Sequence, residues 1–217
     1  MSVRWILRWT AGVWRRPGRS PRHLSGRYHG SLAAITDSER RSLRPIGISA
    51  YAVASRTGLL LADLVAIPGV QIFQGVRPAG TNLPLVPHVV SAGRHFVLVE
   101  SVAWPPGRYA APASGRIHCV GQYIGQSAAP LIATVRLWRT ILPRRYRVSA
   151  VVVVHRAGEG ELRLPVTTTD ELVWLHADEA ADDLRRRLPA DRQVANRNAV
   201  AVLLAAARDR PEQPVWR

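Results

Sequence analysis

The chain contains no lysine; all 30 of its basic residues are arginine. That absence excludes a phosphate-binding loop of the Gly-x4-Gly-Lys type. It also removes any lysine ammonium from a hydrolytic site. Arginine is the usual outcome of GC-rich coding, so the choice itself carries little functional weight. The single cysteine, Cys119, excludes an intrachain disulfide, and without a Cys-x-x-Cys pair a structural zinc site is not expected. No Gly-x-Ser-x-Gly elbow is present. The seven histidines are scattered, and His88, His95, His118 and His155 fall on different expected strands, as strand residues rather than ligands. The first residues place arginines inside their apolar stretch, so no secretory signal is read there. A reducing, cytoplasmic setting is the default for such a chain.

What is abundant is positive charge. Thirty arginines against 15 acids give a formal net charge of +15 over 217 residues. Such an excess suits an anionic partner: nucleic acid, an acidic protein surface or an anionic membrane; the bland alternative is a solvated basic surface. Residues 1–44 read as a basic Trp/Arg-rich arm. Trp5 and Trp9 repeat at helical spacing, Arg4 and Arg8 do the same, and Trp14, Arg15 and Arg16 follow. A helix there would lie on nucleic acid or on a membrane surface through residues 1–16. The prolines and glycines after Arg16 argue for a flexible continuation.

Residues 45–190 read as the folded domain and 191–217 as a C-terminal helix and tail. Residues 45–67 predict a helix beginning near Ile48. Arg56 and Asp63 inside it, with small polar residues, argue for a helix covering a sheet rather than a membrane span. Strands are expected at 70–76, 115–121, 147–155 and 172–176. The four consecutive valines in 147–155 mark a central strand covered on both faces. Residues 122–126 read as a connection to a helix over 127–142, with Trp138 in its apolar surface. Helices are expected over 178–188 and 191–208. Trp174 and Trp138 belong to the core. The order predicts an α/β fold with a mixed central β-sheet flanked by helices.

The chemistry concentrates in residues 84–109. Two apolar runs, 85–90 and 95–102, flank a turn containing Gly93, a hairpin signal. Val97, Leu98 and Val99 lack polar alternation, and Glu100 follows directly. A carboxylate at the end of a covered strand needs a cation, a metal or water. Arg94, Arg108 and Arg116 flank this hairpin and could hold phosphate bidentately. Gln126, with Ser127, could cap the helix that follows.

This stretch resembles the core of the nuclease-related domain family, a branch of the restriction-endonuclease-like fold. Gly93, Glu100, Trp104 and Gly107 match its turn glycine, acid and following segment, and the layout continues over roughly residues 46–188. The resemblance implies a restriction-endonuclease-like sheet, with Glu100 and Gln126 as vestigial catalytic residues. Pro87 stands where the family carries its first Asp, and Val102 where it carries lysine. Cutting a phosphodiester with Mg²⁺ needs two carboxylates and a cation near the water. The expectation is therefore a degenerate member that binds nucleic acid, or a protein complex assembled on it, without cleaving it. No cofactor or metal is then expected. Arg94, Arg108, Arg116, Arg4, Arg8, Arg15 and Arg16 would contact the nucleic acid. Two alternatives stay open. One is an active Mg-dependent nuclease with a site rearranged around Glu100, Asp63 and Gln126. The other is a basic membrane-surface or partner-binding adaptor built on Trp5, Trp9 and Trp14.

Overall fold

The computed structural model describes residues 27–35, 42–77, 83–166, 170–188 and 197–208. The candidate contacts Arg4, Arg8, Arg15 and Arg16, and the three arm tryptophans, lie outside these residues. The chain begins its described part with strand β1 (Tyr28–Gly30) and a 3-10 turn (Leu32–Ala34). Helix α1 (Ala50–Leu61) runs directly into a second 3-10 segment (Ala62–Ala66). Strands β2 (Val70–Val76), β3 (Val86–Ala92) and β4 (His95–Trp104) form an antiparallel meander. Three short strands follow: β5 (Gly107–Ala110), β6 (Arg116–Cys119) and β7 (Gln122–Ser127). Helix α2 (Ala129–Ile141) leads to β8 (Arg147–Arg156), then β9 (Leu162–Arg163) and β10 (Leu172–His176). Helices α3 (Ala180–Arg187) and α4 (Arg197–Arg208) complete the order.

The large sheet has the order β1-β2-β3-β4-β8-β10. β4 and β8 pair in parallel over ten residues, and β10 pairs in parallel with β8. The valine run of β8 therefore lies between two strands and is buried on both faces, as its lack of alternation requires. One face carries Phe73, Val89, Phe96, Leu98 and Val152 against Leu131, Val135 and Trp138 of α2 and Leu203 of α4. The other carries Ile72, Val90, Val99, Val151 and Val153 against Leu61, Leu64 and Leu184. The molecule is thus a mixed sheet between helical layers. Among the described residues no helix is long and apolar enough to cross a membrane.

Three expectations need correction. The helix expected from Ile48 to 67 starts at Ala50, capped by the Ser49 hydroxyl accepting from the Ala52 N–H at 3.2 Å. It tightens to 3-10 geometry after Leu61. The connection expected at 122–126 is strand β7. It pairs antiparallel with β6, which pairs with β5, and β5 with β9, giving a second sheet of order β7-β6-β5-β9. Third, the expected boundary at 44/45 cuts through the fold. β1 pairs in parallel with β2, and Leu43 is buried in the core. Gly30 and Gly75 make the β1 docking possible. Both have positive φ, and a Cβ on Gly30 would lie 2.2 Å from the Gln74 carbonyl oxygen.

Candidate nucleic-acid interface

Glu100 sits in the middle of β4, paired with Val152 of β8, and is 6% exposed. Strand alternation puts it on the same face as Leu98, Val102 and Trp104. Its Oε1 accepts from the Ser101 N–H at 3.0 Å. His88 is paired with Val99, so it belongs to the opposite face, beneath α1. Continuing that register one step sets Pro87 level with Glu100. The residue that resemblance would make an aspartate is thus the neighbour of Glu100, and it supplies no side-chain oxygen.

Asp63 does not join Glu100. It is exposed, in the 3-10 segment that packs with α1 against the other face of the sheet. That segment precedes Val70, which pairs with Ala92, which pairs with His95, so it lies near the start of β4. Among the described residues no three acids, histidines or cysteines converge as a metal site. The set proposed for a rearranged nuclease is therefore spread over two faces.

Gln126 is buried, and its role is decided by its partners. Its Oε1 accepts from Trp104 Nε1 at 3.3 Å and from the Arg44 backbone N–H at 3.1 Å. It does not cap α2; the Ser127 hydroxyl instead accepts from the Ala129 N–H at 3.1 Å. The Trp104 ring stacks on Tyr109, with centroids 4.5 Å apart and planes at 15°, and lies 5.4 Å from Trp174. Gln126 thus fixes the indole that joins the two sheets. Burial raises the Tyr109 hydroxyl above the usual tyrosine range, and its hydrogen bond with Cys119 adds to this. That phenol stays protonated and donates to the Pro105 carbonyl at 3.0 Å.

The flanking arginines separate into two places. Arg94 is exposed in the β3–β4 turn, at the start of β4. Arg108 and Arg116 lie beyond the other end of that ten-residue strand. At about 3.3 Å per residue, the length of β4 puts about 30 Å between them. Arg94 is accordingly not part of one patch with the other two, contrary to the expectation from sequence.

Arg108 and Arg116 instead belong to the solvent face of the small sheet. Register defines that face. Arg108 pairs with Arg163 of β9, Ala110 with His118 of β6, and His118 with Tyr123 of β7. Residues directly opposite in paired strands share a face. Arg163 and Arg108 stand directly opposite one another, and His118 and Tyr123 do so two positions further along, level with Ala110; the four therefore share one face as a stepped row across four strands, about 14 Å wide. Arg116 extends it, with its guanidinium 5.8 Å from the Tyr123 ring centroid. Ile117, Tyr109 and Leu162, in the intervening register positions, point inward and are buried in the core. A groove of about 670 Å³ opens beside this row, lined by Arg108, His118, Arg163, Tyr109, Leu164 and Val166 among others. Arg163 is paired with a carboxylate: Glu161 lies 2.7 Å from Arg163 Nε. Both side chains are exposed, so that pair is weak and replaceable.

Sequence reasoning missed Arg163, His118 and Tyr123 as members of this surface. The clue lay in Arg-Ile-His-Cys, residues 116–119, where the polar residues alternate with apolar ones. No known family model, curated protein or solved structure was found to match this chain.

Proposed function

We propose that this chain binds nucleic acid without cutting it, through the solvent face of the small sheet. The observation that carries this reading is the row Arg163, Arg108, His118, Tyr123 and Arg116 beside a groove of about 670 Å³. Fixed guanidinium groups hold phosphate bidentately and remain charged at any physiological pH. An aromatic ring among them offers a second, uncharged kind of contact. The formal charge of +15 adds long-range attraction for a polyanion.

The fold supports a degenerate restriction-endonuclease-like, nuclease-related reading. Helix α1, the meander β2-β3-β4, helix α2 and parallel strand β8 follow one another in the order that resemblance implies. The buried acid Glu100 is kept, but Pro87 beside it offers no carboxylate. A magnesium ion needs several oxygen ligands in near-octahedral array, so this residue set binds phosphate more readily than it hydrolyses it.

The test is a titration of labelled oligonucleotide at several salt concentrations. Neutralising three phosphates gives a log–log slope of about −2 to −3. Arg108→Glu combined with Arg163→Glu is expected to weaken binding at least tenfold and to flatten that slope by about 1 to 2. Glu161→Gln, which releases Arg163, is expected to tighten it. Plasmid incubated with Mg²⁺ or Mn²⁺ should remain intact with the wild type and with Glu100→Ala alike. Affinity that ignores salt and the double charge reversal would remove the reading, and strand scission lost in Glu100→Ala would replace it with a nuclease.

A further inference from the structure

Resting on that reading, we infer that the partner is single-stranded nucleic acid, with one base stacked on Tyr123 and its flanking phosphates held by Arg116 and Arg108. Tyr123 is 52% exposed on β7, although tyrosine at a sheet position normally gains by covering its ring. Its neighbours hold the ring rather than cover it. His118 is tilted at 51° with its centroid 5.9 Å away, and the Arg116 guanidinium lies 5.8 Å from the ring centroid. An aromatic platform beside one guanidinium and on the same face as others is what an unpaired base needs: a π-face to stack on and cations for the neighbouring phosphates.

A duplex cannot use this arrangement. Its bases are stacked internally and their planes are closed to a side chain standing on a sheet. Its phosphates are carried on a broad convex surface, whereas Arg108 and Arg163 line a concave groove. A single strand is narrow enough to follow the row across the four strands, and flexible enough to turn one base toward Tyr123. The recognition is tolerant of sequence, because every base has a π-face and no buried donor or acceptor set among the described residues of the row reads base edges.

The experiment measures anisotropy of labelled single-stranded DNA, single-stranded RNA and the corresponding duplex with the full chain. The variants are Tyr123→Ala and Tyr123→Phe, both at an exposed position that the core does not need. Single strands, as DNA, RNA or both, are expected to bind at least tenfold more tightly than duplex. Tyr123→Ala should cost roughly 5- to 100-fold on single strands and little on duplex. Tyr123→Phe, which keeps the ring, should restore most of the affinity. Equal binding of single strands and duplex, or a Tyr123→Ala variant that binds as the wild type, would overturn the inference. In that event a retained salt slope and a retained effect of the Arg108/Arg163 reversal would leave the broader reading standing. Loss of all salt-sensitive binding would remove both.

Discussion

Acid should unfold this protein partly through one histidine. His155, at the end of β8, is 8% exposed, and its Nε2 lies 2.8 Å from the hydroxyl of the fully buried Thr57 on α1. Burial, and secondarily the positive charge of Arg56, pushes its pKa down from 6.5 to about 4. The unfolded chain takes up this proton near pH 6.5 and the folded chain only near pH 4. The contribution is therefore fully present above the unfolded value and lost as pH falls through the window between the two. The gap corresponds to about 3 kcal/mol across the window, or up to about 1.4 kcal/mol per pH unit within it. Carboxylates titrate near its lower end, so the quantity to read is a difference between two proteins. Urea unfolding, followed by tryptophan fluorescence, should be measured at closely spaced pH values from neutral down to about pH 4.5. His155→Gln keeps a hydrogen-bonding group toward Thr57 without a titrating ring. The wild-type stability should fall more steeply than that of the variant, by about 1 kcal/mol per pH unit around the middle of the window. Parallel curves would show that the folded imidazole titrates normally and that its burial beneath α1 has no linkage consequence.

Two further perturbations test the packing that positions the small sheet. Gln126→Leu removes the acceptor of the Trp104 indole and of the Arg44 amide, and should cost about 1–3 kcal/mol in urea unfolding, more than a surface change would; a loss under about 0.5 kcal/mol would mean that Trp104 does not depend on it. Val120 holds φ 49° in the β6–β7 turn while 76% exposed, a conformation costly for a β-branched residue. Val120→Asn should therefore stabilise the protein by about 1 kcal/mol in the same assay, and a destabilised variant would contradict the strain.

Legibility in the sequence followed the length and periodicity of each element. β8 announced itself through four valines, and the β3–β4 hairpin through two apolar runs around Gly93. β10 was read to the residue, because Leu-Val-Trp-Leu-His has no competing helical pattern. β1 was hidden in a stretch rich in arginine, glycine and proline, and its three residues are ordered by docking on β2, a contact 44 residues away in sequence. Of the small sheet, β6 alone was legible, as the strand expected at 115–121 with its alternating Arg-Ile-His-Cys. β9 has two residues and β5 four, and neither shows a period of its own. β7 carries Gly125 and exposed polar residues, which read as a connection. The candidate site inherited this gap. Arg108 and Arg116 were identifiable as cations, but Arg163 reaches them only through a parallel pairing 55 residues along the chain. Arg94, close in sequence to the hairpin acid, was drawn into a patch that the length of β4 forbids.

On the proposed reading, the inner and outer faces of the small sheet explain how loss of chemistry and retention of binding can coexist. Glu100 lies on the large sheet, buried within the fold, and what it lacks is local: one proline and one valine stand at the two positions that would complete a nuclease site. The arginine row lies outside that core, on strands inserted between β4 and α2 and joined by β9. Trp104 links the two, since its ring stacks on Tyr109 of β5 while its N–H is held by Gln126 of β7. Gln126, which resemblance would assign to catalysis, thus acts here as a structural tie between β4 and the inserted sheet. A requirement for binding alone therefore constrains Trp104, Tyr109 and Gln126, which hold the row in place, and leaves Pro87 and Val102 free of any catalytic demand. A protein kept for cleavage would show the reverse, because the carboxylate pair would be the group that no substitution could replace.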